Sequence, residues 1–458
     1  MQDIYRGTNI IEYAKAFAAI HGDSFLDKPL PPNLFTVSHN IPPFLLEEFM
    51  DFPYGQPWLL DGAYGTNLKA AGLSFSDCTE QFILNHPEAL ASLQTAFLQA
   101  GADTLTIPSF GANAERLEQF GLAAETARIN ASLTALTRKT AGQRPIGGNL
   151  STAGITLGPE SERTFSELMG AYTEQAAALK AAGADYFLIE TMTSLTDIRA
   201  AVLACRKQQL PILACVTVDE NGITASGTSA LTCLVVLQEL GASAFGLNCS
   251  LSPAEMVPIF EELSAFAKIP LIAQPAASMP ALRERAGFSL TPEQFAEQFV
   301  PLFQAGVTIA GGCCGAAPAH IAALRRVMDR FNFSSVTRPR HHRELVLTSV
   351  HETFCYELDM LEFSPTLHPS SDMTDAFMEI EQESYDVISV EVETPEEALS
   401  FAENDHMAEL PVSFLSSDEL ALKTALLLYS GRAMVDARSE LDRTTLERIA
   451  YKYGAVLY

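Results

Sequence analysis

Basic residues are scarce in this chain. Lysine and arginine number 29 among 458 residues, against 56 aspartates and glutamates, for a formal net charge of −27. So acidic a balance excludes non-specific nucleic-acid binding, which rests on a basic footprint. The one short cluster, Arg338, Arg340, His341, His342 and Arg343 around Pro339, reads as a solvated linker. No apolar run approaches the ~18–20 residues of a membrane span. The N-terminus, MQDIYRGTNIIEYAKAF, lacks the basic and apolar regions of a secretory signal, so the cytoplasm is the expected compartment. Cysteine is also sparse, with eight residues, and no two stand as Cys-x-x-Cys. That excludes a disulfide framework, a thioredoxin-like couple and the paired ligands of a zinc finger.

What is present is an ample apolar content, 48%, arranged with a recurrent rhythm. Short apolar runs end in Gly, Asn, Ser or Thr, and each is followed by an Ala/Leu/Glu-rich stretch of helical period. The runs are WLLDG (58–62), TLTIPSF (104–110), PIGGNLS (145–151), YFLIET (186–191), ILACVTV (212–218), AFGLNCS (244–250), LIAQPAA (271–277) and VTIAGG (307–312). Strands apolar on both faces and alternating with helices predict a parallel sheet covered by helices. Eight such units over residues 56–332 predict a (β/α)8 TIM barrel. A doubly wound open sheet fits less well, because no Gly-x-Gly-x-x-Gly turn follows the first run.

Residues 1–55 precede the barrel as an extension, with a helical stretch IIEYAKAFAAI and a proline-rich remainder. Residues 345–458 repeat the β/α rhythm in LVLTSV, YDVISVEV, LPVSFLSS, RAMVDARS and GAVLY, too few units for a second barrel. They predict a smaller, incomplete α/β domain.

Barrel active sites lie at the C-terminal ends of the strands. Asp61, Ser109, Phe110, Asn149, Glu190, Thr191, Asn248, Cys249, Cys313 and Cys314 therefore share one predicted rim. Cys313 and Cys314 sit in GGCCG (311–315), and Cys249 lies 64 positions earlier at another strand end. Successive side chains of a strand face opposite ways, so both members of the pair can turn inward only where glycines relax the backbone. Three converging thiolates suit Zn2+, and three protein ligands leave a fourth position open. Such an electron-rich ion favours a substrate thiol, bound as thiolate, over water. The chemistry implied is S-alkylation. Cys78, Cys205, Cys215, Cys233 and Cys355 read as buried or peripheral thiols.

The motifs GLNCSLSP (246–253) and GVTIAGGCCG (306–315), with DGAYGTNL (61–68), SFGAN (109–113) and FLIET (187–191), resemble the zinc-dependent homocysteine S-methyltransferase family. The family includes betaine-homocysteine methyltransferases and the N-terminal module of cobalamin-dependent methionine synthase. The resemblance implies zinc on Cys249, Cys313 and Cys314, homocysteine as the thiol and methionine as the product. It implies Asp61 and Glu190 as partners of the substrate ammonium, with Ser109, Phe110 and Asn248 nearby. A methyl donor is not implied; a corrinoid protein or methyltetrahydrofolate in trans, betaine and S-methylmethionine all fit. The chain departs from the family pattern at Pro108, at Ala276–Ala277–Ser278 and at Ser252. The departures at Pro108 and Ala276 keep a second reading open, a different small thiol or a corrinoid-linked reaction, and the incomplete C-terminal domain keeps open a third, an inert zinc barrel serving as a regulatory subunit. Residues 345–458 more weakly resemble the opening of the pterin-binding domain of methionine synthase.

Overall fold

A computed structural model describes residues 56–458 except 75, 158–160, 162, 282–285, 339–344 and 358–359. The N-terminal stretch and most of the basic cluster lie outside the described residues. Arg338, which is described, is half-buried rather than solvated: its side chain lies over Gly306.

All eight expected runs form strands: β1 (Trp58–Leu59), β2 (Leu105–Ile107), β3 (Ile146–Leu150), β4 (Tyr186–Met192), β5 (Ile212–Val216), β6 (Ala244–Asn248), β7 (Leu271–Gln274) and β8 (Val307–Ala310). They make one parallel sheet in the order β1-β8-β7-β6-β5-β4-β3-β2. Each strand is a neighbour of the next, as in a TIM barrel and unlike a doubly wound sheet. The connecting helices begin on side-chain caps supplied by the loops. Thr164, Ser194, Ser229 and Ser252 each accept a backbone N–H of the first turn, and Thr164 and Ser252 complete capping boxes with Glu167 and Glu255. The Ser252 departure thus has a local role as a cap.

The seam between β1 and β2 carries no strand ladder of its own; carboxylates bridge it. Asp103 donates its N–H to the Leu59 carbonyl at 2.8 Å and accepts the Leu59 N–H on its carboxylate at 2.7 Å. Asp61 accepts the N–H and the hydroxyl of Thr106, both at 2.8 Å. The barrel interior is filled by Trp58, Leu60, Tyr186, Leu188, Leu213, Cys215, Ala244, Ile272 and Ile309, with Trp58 and Tyr186 packed edge to face. It is a second core, not a pore.

Residues 345–458 form a different arrangement from the one expected at their start. LVLTSV is not the strand of a β/α unit: β9 (Leu345–Thr348) pairs antiparallel with β10 (Thr353–Tyr356) through the turn at Ser349–Glu352. The remainder follows expectation. Strands β11 (Ile388–Glu391), β12 (Val412–Leu415), β13 (Met434–Val435) and β14 (Val456–Leu457) are parallel and consecutive neighbours, with helices Pro395–Asn404, Glu419–Leu428 and Arg443–Tyr453 between them. The hairpin covers the opposite face: Leu345 and Leu347 join Val387 and Met434 in a small apolar cluster.

This second sheet is docked on the helices that follow β4 and β5. Arg199, buried to 1% exposure, donates to the carbonyls of Leu426 and Leu427 at the end of a helix. Arg206 donates to the Lys452 carbonyl at 2.9 Å, and Thr196 and Ser430 share a hydroxyl hydrogen bond at 2.7 Å. The His351 carbonyl, in the hairpin turn, accepts from the N–H of Ser229 and the hydroxyl of Thr232. The hairpin turn therefore meets the first barrel on its catalytic rim, where the helix after β5 begins.

Candidate metal centre

Three sulfur atoms converge where the sequence places them. The thiols of Cys249, Cys313 and Cys314 lie within 4.8 Å of one another, and the Cys249 and Cys314 sulfurs are 3.3 Å apart. The edge of a tetrahedron with Zn–S bonds near 2.3 Å is about 3.8 Å, so the spacing fits a tetrahedral ion. The remaining five cysteines lie apart from this trio: Cys205 and Cys233 in helices, Cys215 in β5, Cys78 at a helix start and Cys355 in β10.

Backbone geometry explains how two strand ends aim three thiols at one point. Cys249 and Ser250 adopt left-handed conformations, φ 64° and 52°, and Thr191 at the end of β4 does the same at φ 60°. Among the described residues only four non-glycine residues have positive φ, and three of them stand on this rim. Such conformations store roughly 1–3 kcal/mol each and persist where neighbours over-determine them. Here the Cys249 N–H donates to the Gln274 carbonyl at 3.0 Å, and the Cys313 N–H donates to the Pro275 carbonyl at 2.9 Å. The Cys314 carbonyl accepts from Ala277 and Ser278, so the departing sequence after β7 seats the pair through its backbone.

Gly315 is required by both conformation and space: its φ is 77°, and a Cβ there would fall 2.1 Å from the Ser278 hydroxyl oxygen. Gly315→Ala is expected to destabilise the fold by about 1–2 kcal/mol from the left-handed backbone alone. It should also weaken zinc binding, because the clash moves the loop that carries Cys314. Urea unfolding and chelator competition would check both; an unchanged protein in both would contradict the geometry.

The three thiols interact electrostatically with one another. Hydrogen bonds from Cys249 and Cys313 hold the Cys314 thiol down to about 3. The hydrogen bond of Cys249 with Cys313 is outweighed by that with Cys314 and by burial, which leaves Cys249 raised to about 11. Cys313 is raised well above its usual value by its bonds to the other two and by burial. Without an ion the trio therefore shares one negative charge. A divalent ion on three thiolates has the charge this donor set lacks when protonated.

Beside the thiols stand the two carboxylates. Burial raises Asp61 to about 6 and Glu190 to about 7. Neither is paired with a cationic side chain among the described residues, so each is a desolvated acceptor without a counter-ion. Asp61 accepts from Tyr64 at 2.6 Å in addition to its two bonds from Thr106. Glu190 accepts from the Asn149 amide at 2.7 Å, and the nearby Gln274 side chain, whose amide donates to the Cys215 sulfur at 3.8 Å, also favours its ionised form. Asn248 turns toward the metal site: its amide donates to Cys313 at 3.7 Å and to the Thr191 hydroxyl at 2.8 Å, while its carbonyl oxygen accepts the Thr191 N–H at 2.8 Å.

The structure brings Asp61, Glu190, Asn248 and the cysteines to one rim, with Ser109 and Phe110 at the end of β2. The Ser109 hydroxyl is fully buried and committed to the backbone of Asn149, donating to its carbonyl and accepting its N–H. Phe110 is half-buried under the Arg116 guanidinium, 5.8 Å from the ring centre. Sequence reasoning gave no role to Asn149, although it lies on the predicted rim, and missed Gln274 altogether. A polar residue closing the otherwise apolar LIAQ was the available signal.

A family model described as homocysteine S-methyltransferase matches residues 58–328, which carry the whole barrel and all three thiols. The chain belongs to the homocysteine S-methyltransferase family. Methionine synthase of Mycobacterium tuberculosis is 32% identical over 282 residues, 57% of this chain and 24% of that protein. Methionine synthase of Mycobacterium leprae is 30% identical over 303 residues, 62% of this chain and 25% of that protein. The chain thus spans about a quarter of the length of these relatives. Among solved structures, the metallated form of the Escherichia coli homocysteine methyltransferase MmuM shares the barrel fold at 21% identity and a TM-score of 0.51, over 62% of this chain and 98% of that one. No described helix is long and apolar enough to cross a membrane.

Proposed function

We propose that this family member is a zinc-dependent thiol S-methyltransferase that converts homocysteine to methionine. The observation that carries the proposal is the convergence of three thiols from β6 and β8 beside two buried carboxylates that lack counter-ions. Cys249, Cys313 and Cys314 would hold the ion. A bound Zn2+ would lower the pKa of the substrate thiol and present it as a thiolate at neutral pH.

The residues of the chain supply the rest. Glu190 and Asp61 receive the substrate ammonium and so fix which end of the amino acid faces the thiols. Asn149 orients the Glu190 carboxylate, and Asn248 fixes Cys313. Asp61, Glu190, Asn248, Ser109 and Phe110 are the residues we assign to the thiol-substrate pocket. The substrate thiol gives up its proton on binding. Its sulfur then forms a bond to the methyl carbon of the donor, whose bond to that methyl breaks with the electron pair leaving on the donor.

A panel assay tests this reading. Purified full-length protein is supplied with homocysteine and, separately, betaine, S-methylmethionine, methyltetrahydrofolate and a methylated corrinoid protein. Methionine from at least one donor is the expected result. The altered segments around Pro108 and Ala276–Ala277 favour one second reading, a different small thiol, so the panel includes other small thiols. Methylation of one of those alone would establish the second reading. No product from any pair would leave the barrel a non-catalytic binding subunit.

A further inference from the structure

Resting on the metal-centre reading above, we propose that Thr217 and Thr228 are positioning residues. Through them the hairpin turn of the C-terminal segment holds the Asn248–Cys249 peptide in the strained conformation that presents Cys249 to the ion.

The peptide between Asn248 and Cys249 is pinned on both sides. Its N–H donates to the Gln274 carbonyl of β7 at 3.0 Å. Its carbonyl accepts the Thr217 hydroxyl, from the end of β5, at 3.0 Å. These two bonds fix the plane that precedes the left-handed φ of Cys249, a torsion that a non-glycine residue leaves readily once released. The Thr217 N–H donates to the Met192 carbonyl, so the same residue also ties the end of β4, beside the left-handed Thr191.

Thr217 opens a loop that is laced to itself and then to the C-terminal segment. The Ser226 N–H donates to the Thr193 carbonyl at 3.1 Å, which holds the loop against the β4 end. Thr224 accepts the Thr228 N–H on its hydroxyl and donates its own N–H to the Thr228 carbonyl. Thr228, only 1% exposed, donates its hydroxyl to the Val350 carbonyl in the hairpin turn at 3.1 Å. Ser229 and Thr232 reach the His351 carbonyl next to it, and the Thr232 hydroxyl is bonded to that of Thr353 at 3.0 Å. The loop thus has one end on the peptide that aims Cys249 and the other on the turn of the β9–β10 hairpin. Loss of the Thr228 bond would loosen this loop, and loss of the Thr217 bond would leave the strained peptide held by Gln274 alone.

The test uses full-length protein carrying Thr217→Val, Thr217→Ser or Thr228→Val. Valine keeps the shape and removes the hydroxyl; serine keeps the hydroxyl. Zn2+ affinity is read by competition with a chromophoric chelator, and the unfolding midpoint of the metal-free protein is read in parallel. Thr217→Val should weaken zinc binding by about 10- to 100-fold, the range for loss of an outer-shell partner. Thr228→Val should weaken it several-fold, and Thr217→Ser should stay near wild type. The metal-free midpoint separates aiming from bulk stability, since it should not follow the affinity order. Either valine variant within twofold of wild type would overturn the proposal, as would an equal loss in Thr217→Ser. Wild-type protein that takes up no zinc would instead overturn the metal-centre reading itself.

Discussion

Cys314→Ser protein is expected to be purified without zinc, whereas the wild-type protein should carry about one ion per chain. Serine keeps the size of the side chain, but its hydroxyl stays protonated at neutral pH and is a poor ligand for zinc. The lost affinity should exceed the roughly 10- to 100-fold typical of an outer-shell change, because an inner ligand is removed. Methyl transfer should be lost with it. Elemental analysis of the two proteins decides the matter, and a serine variant that retained stoichiometric zinc would refute the assignment.

The wild-type protein offers a second check on the same claim. In the metal-free trio the hydrogen bonds among the thiols favour the Cys314 thiolate and hold Cys249 and Cys313 above the usual thiol range. Zinc should therefore displace protons from the trio, and its apparent affinity should rise with pH near neutrality. Calorimetry in buffers of different ionisation enthalpy counts those protons directly. Release near zero would mean that the sulfurs are not the ligands.

Glu190→Gln is the other change with a large expected effect. The carboxylate is buried and raised to about 7, and its described hydrogen-bond partner is the amide of Asn149. A substrate ammonium placed against it gains a desolvated partner. Removing one side of such a pair costs about 2–5 kcal/mol, a factor of roughly 30 or more. Because the ammonium is held equally before and during methyl transfer, the loss should appear as a raised KM for homocysteine with kcat little changed. The pH dependence has a definite sign. Only ionised Glu190 attracts the ammonium, so affinity should fall as pH is lowered through about 7, and the glutamine variant should lack that slope. A fall in kcat at constant KM would show that Glu190 acts on the reacting atoms instead.

Much of this site was legible in the sequence for one reason: a parallel barrel gathers the ends of all its strands on one side. Knowing that AFGLNCS and VTIAGG were strands of one barrel was enough to place Cys249 opposite Cys313 and Cys314. The parts that stayed hidden are those made by backbone and by shared side chains. Gln274 reads as one more strand residue until its amide is seen against Glu190. Thr217 reads as one more residue of the strand run ILACVTV, since its proposed role lies in a carbonyl contributed by β6. The β9–β10 hairpin reads as the start of a β/α unit because its turn, Ser349–Val350–His351–Glu352, contains no glycine or asparagine to announce a reversal. The antiparallel pairing follows from the apolar face that β11 and β13 leave to be covered, a tertiary demand that no local pattern records.

Asp61 stitches β1 to β2 through Thr106 and also stands in the pocket proposed for the substrate ammonium. One carboxylate is thus committed both to architecture and to recognition, which sets an evolutionary constraint. A lineage that drifts toward a thiol without an amino group can alter Glu190 without touching the wall of the barrel. Discarding Asp61 would leave that wall bridged by Asp103 and Leu59 alone. Thiol preference in relatives of this fold should therefore diversify on the Glu190 side, with the acid at Asp61 persisting even after its substrate role is gone.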